Sequence, residues 1–112
     1  MKIAEKQFGP NTVVQVLEQR LGADKAVAFK DAVGRVLNNG NPQLYLDLSQ
    51  VEFIDSSGLG AILSLLKRME KGRELIICGL TEPVASMFKL TRMDRVFTIY
   101  KNVEQAVSAR TH

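Results

Sequence analysis

The segment 55–60, Asp-Ser-Ser-Gly-Leu-Gly, places a carboxylate directly before two neighbouring hydroxyl groups. It follows an apolar cluster ending at Ile54 and precedes an amphipathic pattern that predicts a helix. Asp55 or Ser56 can cap that helix, whose N-terminus favours negative charge through its unpaired amide groups and its dipole. These residue types suit a serine phosphate that the folded domain tolerates. Plain capping accounts for the same residues, so both interpretations stay open on physical grounds.

The two glycines of this segment predict a surface that a partner can approach closely. Each costs a helix about 1 kcal/mol relative to alanine, so Gly58 and Gly60 indicate a need for bare backbone. A phosphate on Ser56 would add about two negative charges, which would repel an acidic partner. Helical spacing predicts one exposed ridge on the same side, formed by Ser56, Gly60, Ser64 and Lys67.

Several kinds of catalytic or ligand site are disfavoured by the same residues. One carboxylate with two hydroxyls gives a metal ion too few ligands, and the glycine-lysine spacing of a nucleotide phosphate loop is absent. A serine nucleophile has no credible base, because the only histidine is the last residue, His112. We therefore predict no enzyme activity, no metal and no cofactor.

Length and composition predict one globular domain over residues 1–112. The chain is 46% hydrophobic and 24% charged, and its net charge of +3 comes from basic residues interspersed with acidic ones. We therefore expect no nucleic-acid binding. Neither a signal peptide nor an apolar stretch of about 18 residues occurs, so we expect a cytoplasmic protein without membrane contact. The single cysteine, Cys78, lies in an apolar run and is predicted to be buried.

Hydrophobic periodicity predicts the elements that position the segment. Strands are expected at 2–8, 12–17, 43–48, 74–78 and 96–100. Helices are expected at 23–37, 57–71 and 81–90, and from Asn102 onward. The buried stripe of the second helix is predicted to consist of Leu59, Ile62, Leu63, Leu66 and Met69.

The order β-β-α-β-α-β-α-β-α predicts an α/β fold, in which a mixed, mainly parallel sheet opens with an N-terminal hairpin. Helices are expected to pack against this sheet. Open α/β sheets present their working loops at the carboxyl ends of the strands. The segment 55–60 is expected at such an end.

The sequence resembles bacterial anti-anti-sigma factors of the STAS domain family. Leu-Asp-Leu at 46–48, Val51 and Phe-Ile-Asp-Ser-Ser-Gly-Leu-Gly at 53–60 carry the resemblance, which continues through 75–80, 84–88 and 97–100. It covers about residues 12–108 and implies a single STAS domain. It also implies a protein that, when unphosphorylated, binds a GHKL-type anti-sigma factor and serine kinase and so frees the sigma factor.

The resemblance also assigns roles to residues of the segment. Ser56, directly after the aspartate, is the expected phosphorylation site, with Ser57 as the second choice. Asp55, Ser57 and Gly58 are expected to support it. Phosphorylation is expected to break the complex, and a PP2C-type phosphatase to restore it.

One element departs from the family pattern. Many members carry a Gly-Glu-Leu-Asp-like stretch after the second strand, whereas this chain reads Glu-Gln-Arg-Leu-Gly-Ala-Asp at 18–24. Arg20 and Asp24 are the candidates for its role. The expected partner surface therefore comprises Arg20, Asp24, Ser56, Leu59, Gly60, Ser64 and Lys67. A monomer is expected, and the alternative is an accessory or scaffold STAS module of a transporter or a stressosome-like complex, without sigma control.

Overall fold

The computed structural model describes residues 1–69 and 71–110, so Thr111 and His112 lie outside the described residues. A five-stranded sheet forms the centre of the domain, in the spatial order β1-β2-β4-β6-β7. The strands of this sheet are β1 (Ile3–Phe8), β2 (Asn11–Val16), β4 (Gln43–Asp47), β6 (Glu74–Cys78) and β7 (Thr98–Tyr100). Strand β1 is antiparallel to β2, and the other neighbours are parallel. The predicted mixed sheet with an opening hairpin is confirmed.

Alternating side chains of the central strands reach two different hydrophobic layers. In β4, Leu44 and Leu46 belong to the larger core cluster, which also contains buried residues of the first three helices. Tyr45 points to the opposite face, where it packs with Ile76 and with Ala106 of the last helix. Both faces of the central strands are therefore covered, which explains their nearly continuous apolar sequences.

Within the described residues, four α-helices pack on the sheet, and all four were predicted. They are α1 (Ala26–Leu37), α2 (Ser56–Arg68), α3 (Glu82–Leu90) and α4 (Val103–Arg110). Helix α1 begins later than predicted, because residues 22–25 form a turn closed by a 3.0 Å bond from the Lys25 amide to the Gly22 carbonyl. Helix α2 ends earlier than predicted, because Met69 adopts an extended backbone.

The predicted buried stripe of α2 is partly wrong. Leu59 and Ile62 are buried as expected, but Leu63, Leu66 and Met69 are only partly buried. The helix instead buries Ala61 and Leu65. Helix α2 packs against both the sheet and α1, so its buried face is wider than a single stripe.

Two short strands form a second, parallel sheet that the sequence did not reveal. Strand β3 (Arg20–Leu21) pairs with β5 (Phe53–Ile54), with Arg20 opposite Phe53 and Leu21 opposite Ile54. Leu21 is fully buried and Ile54 is 3% exposed, so their side chains anchor the small sheet in the core. This sheet joins the chain before α1 to the chain before α2.

The predicted caps of the two last helices have different outcomes. The amide of Gln105 donates to the Asn102 side chain at 2.8 Å, which confirms Asn102 as a cap. Thr81 occupies the N-cap position of α3 but makes no capping bond, because its hydroxyl donates to the Val51 carbonyl at 2.6 Å. Within residues 1–69 and 71–110, no helix is long and apolar enough to cross a membrane.

Candidate functional site

Asp55 caps helix α2. Its backbone is extended, and its Oδ1 accepts a hydrogen bond of 2.9 Å from the Gly58 amide. The Leu59 amide then donates to the Asp55 carbonyl at 3.0 Å and begins the helical bonding pattern. Asp55 is therefore the N-cap, and Ser56 is the first residue of the helix.

The second oxygen of Asp55 holds the loop that follows β3. Asp55 Oδ2 accepts a 3.0 Å bond from the Ala23 amide. Gly22 packs against the same oxygen, since a Cβ atom at position 22 would be only 3.0 Å from Asp55 Oδ2. One carboxylate thus fixes both the start of α2 and the loop at residues 22–24.

The hydrogen bonds from these backbone amides stabilise the charged form of Asp55. The Gly58 amide makes the largest contribution to a lowered pKa of the Asp55 carboxyl, partial burial opposes it, and the amides of Ala23 and Ser57 lower the pKa further. Asp55 is therefore an anion at neutral pH. It lies next in sequence to the Ser56 hydroxyl.

Gly58 has a packing role, which corrects the prediction that it contributes bare surface. The residue is buried, and a Cβ atom at this position would be 2.1 Å from the Leu21 carbonyl oxygen and 3.0 Å from Ile54 Cγ1. Only glycine lets the first turn of α2 approach the small sheet this closely. Gly58 therefore supports the site by letting α2 pack closely against β3 and β5.

The ridge on α2, defined as Ser56, Gly60, Ser64 and Lys67, lies on the outer side of the helix. Ser56, Gly60 and Lys67 are exposed, and Ser64 is half-buried. A Cβ atom at Gly60 would have open space around it, which agrees with the predicted bare surface. The Ser64 hydroxyl donates to the Gly60 carbonyl at 3.0 Å, so it points back along the ridge. Ser57 is also exposed beside the ridge.

Leu59 does not belong to the outer surface. Its side chain is 6% exposed and packs in the larger core cluster. Its place in the expected partner surface is therefore wrong, because the same first turn that exposes Ser56 and Gly60 turns Leu59 toward the sheet.

Arg20 and Asp24 are both exposed near the segment 55–60. The Arg20 guanidinium carbon lies 4.1 Å from the centre of the Phe53 ring, so the two side chains stack. Phe53 is 38% exposed and was not predicted as a site residue. Its position opposite Arg20 depends on the β3–β5 register, which no periodic pattern in a two-residue strand reveals.

The site is thus a surface of a carboxylate-capped turn, two exposed serines and a small-residue ridge. Among the described residues, no group of three or more histidine, cysteine, aspartate or glutamate side chains could hold a metal. The geometry suits docking of another protein and covalent modification of a hydroxyl.

Comparison with known proteins gives a consistent family. The model of the STAS domain matches residues 4–106. A Thermotoga maritima protein named "Putative anti-sigma factor antagonist" is 32% identical over 99 residues, which cover 87% of this chain and 88% of that protein. The anti-sigma F factor antagonist of Paenibacillus polymyxa is 33% identical over 66 residues, which cover 58% of this chain and 56% of that protein.

The fold is also close to a solved structure. The crystal structure of an anti-sigma factor antagonist from Mycobacterium paratuberculosis has a TM-score of 0.89 and 25% sequence identity to this chain. The similarity covers 96% of this chain and 92% of that one.

Proposed function

This chain belongs to the STAS domain family, and we propose that it is a cytoplasmic anti-sigma factor antagonist switched by phosphorylation of Ser56. In its unphosphorylated form it binds an anti-sigma factor, which is a GHKL-type serine kinase, and so releases the sigma factor. Phosphorylation by the same kinase ends binding, and a PP2C-type phosphatase reverses it. The protein has no catalytic step of its own.

The exposed hydroxyl of Ser56 supports this function most directly. Ser56 is the first residue of α2 and follows the capping carboxylate of Asp55. Its exposure lets a kinase reach the hydroxyl without unfolding the domain. A phosphate there lies at a helix N-terminus, which stabilises negative charge.

The phosphate acts on the partner surface more than on the fold. It brings about two negative charges to a place where the Asp55 carboxylate is already ionised. Beyond Ser56 lies the open surface at Gly60, which a partner can approach closely. A phosphate therefore adds both bulk and like charge at the edge of the contact.

Asp55 has a second role in this function. One carboxylate oxygen caps α2, and the other accepts the hydrogen bond from the Ala23 amide. The loop that carries Asp24 is therefore fixed relative to Ser56. The kinase therefore meets one rigid surface made of the ridge on α2, Arg20 and Asp24. Preorganisation of this kind reduces the entropy lost on binding.

The test is phosphorylation by a GHKL-type kinase encoded in the same genome. The purified chain is incubated with that kinase and Mg-ATP, and intact mass is followed by peptide mapping. We expect one phosphate, located on Ser56, and no phosphate on the Ser56→Ala variant. The matched control is Ser57→Ala, which removes the neighbouring exposed hydroxyl and is expected to be phosphorylated like the wild type.

Other outcomes would change the conclusion. Phosphate on Ser57 in the wild type would reassign the switch to the second hydroxyl. Absence of both binding and phosphorylation by every GHKL-type kinase of the genome would refute the proposed function. A pull-down that then recovered a transporter ATPase would favour an accessory module without sigma control.

A further inference from the structure

Arg20 is a cation held above an aromatic ring at the edge of the partner surface. Its guanidinium carbon is 4.1 Å from the Phe53 ring centre, and both residues are exposed. Within the described part of the chain, no acidic side chain pairs with it. A contact with the face of an aromatic ring leaves the guanidinium N–H groups available as donors to a ligand.

The backbone beneath this pair is firmly held. The Gln19 carbonyl accepts bonds from the Glu52 amide at 2.8 Å and from the Phe53 amide at 3.1 Å. The next residues of the two strands, Leu21 and Ile54, are buried in the core. The backbone that carries Arg20 is therefore ordered before a ligand binds, which lowers the ordering cost of binding.

The pair is continuous with the phosphorylation site. Phe53 is three residues before Ser56, and three residues of chain span at most about 10 Å. The backbones of Phe53 and Ser56 are thus within about one Debye length at 0.1 M salt, so charges of a partner bound at the two positions interact with only partial screening.

From these contacts we propose that Arg20, stacked on Phe53, binds a carboxylate side chain of the kinase partner in a bidentate pair. The inference rests on the proposed function and adds the chemistry of recognition. Arginine and carboxylate form two parallel charge-assisted hydrogen bonds, and buried arginines and aromatics often dominate binding energy. The phosphate on Ser56 would then repel that same carboxylate, which links recognition to release.

The test measures affinity of the full chain for the GHKL-type kinase by titration calorimetry. We expect Arg20→Glu to weaken binding by about 100-fold, because it places like charges in contact. Arg20→Lys keeps the charge but loses the planar fork, so we expect a loss of about 10-fold. Phe53→Leu removes the ring that orients the guanidinium, and an intermediate loss is expected.

The chain supplies a matched control in β1, the edge strand of the main sheet, beside α4. Lys6 Nζ lies 5.2 Å from the Phe8 ring centre, and Phe8 is 36% exposed, close to the value for Phe53. Lys6→Glu makes the same change in net charge as Arg20→Glu, but away from Ser56. We expect Lys6→Glu and Phe8→Leu to bind the kinase as the wild type does.

The outcomes separate this inference from the function on which it rests. If the wild type binds the kinase and Arg20→Glu binds it equally tightly, the carboxylate contact is overturned. The phosphorylation switch is then unaffected. Equal losses for Lys6→Glu and Arg20→Glu would also overturn the carboxylate contact, since general charge would then explain both. A charge reversal at one acidic residue of the kinase should restore binding of Arg20→Glu. Failure of the wild type to bind refutes both proposals.

Discussion

Replacing Gly58 by alanine should strongly destabilise the domain, whereas the same change at Gly60 should stabilise it. The added Cβ at Gly58 would lie 2.1 Å from the Leu21 carbonyl oxygen, against an ordinary contact of at least 3.4 Å. The carbonyl belongs to backbone, so β3 and α2 must separate by more than an ångström. Overpacking typically costs about 1–3 kcal/mol, and we expect the upper end, about 3 kcal/mol, because main chain must move.

Gly60→Ala adds the same methyl group, but into open space. Helix propensity then gives a gain of about 1 kcal/mol. For a domain of this size we expect the Tm of Gly58→Ala to fall by about 15 °C and that of Gly60→Ala to rise by about 5 °C. Thermal and urea unfolding followed by circular dichroism measures both. Gly58→Ala as stable as the wild type would refute the close approach of α2 to β3.

Three further predictions concern charge, burial and backbone strain. Folding lowers the pKa of Asp55. The stability contributed by its charge is therefore fully present above the unfolded-state pKa of about 3.9, and it is lost as the pH falls through the lower pKa of the folded state. Urea unfolding should therefore show the advantage of wild type over Asp55→Asn shrinking below about pH 4, and an advantage equal at pH 3 and pH 7 would contradict this. Burial, with the nearby Asp47 charge, raises the pKa of Cys78 to about 12, so iodoacetamide at pH 8 should label Cys78 only in urea, and rapid labelling of the native protein would contradict its burial. Arg92 has a φ of 63°, so Arg92→Gly should stabilise the fold by about 1 kcal/mol, and a lower Tm would argue against strain there.

The main sheet and the four helices were predictable because their patterns are long. The alternating leucines at 44, 46 and 48 and the amphipathic stripe of α1 each extend over several residues, so one exception does not hide them. The segment 55–60 was equally clear, since a capping residue before an apolar helix has a specific chemistry. The segment lies at the carboxyl end of a strand as expected, but that strand is β5 of the small sheet and not a strand of the main sheet.

Contacts between distant parts of the chain were not predictable. The β3–β5 sheet has two residues in each strand, too few for a periodic signal. Gly58 looked like bare surface because its contact with Leu21 arises only once that sheet forms. The Arg20–Phe53 stack depends on the same register. Local patterns therefore located the segment 55–60, and tertiary pairing determined what supports it.

We propose that one phosphate on Ser56 abolishes binding to the kinase partner. The most direct measurement compares the affinity of the unphosphorylated chain with that of the chain homogeneously phosphorylated on Ser56, both with Tm values recorded. We predict a loss of affinity of about 100-fold or more, since like-charge contact costs several kcal/mol, while the Tm changes little. Equal affinities of the two forms, each correctly folded, would refute a switch at Ser56.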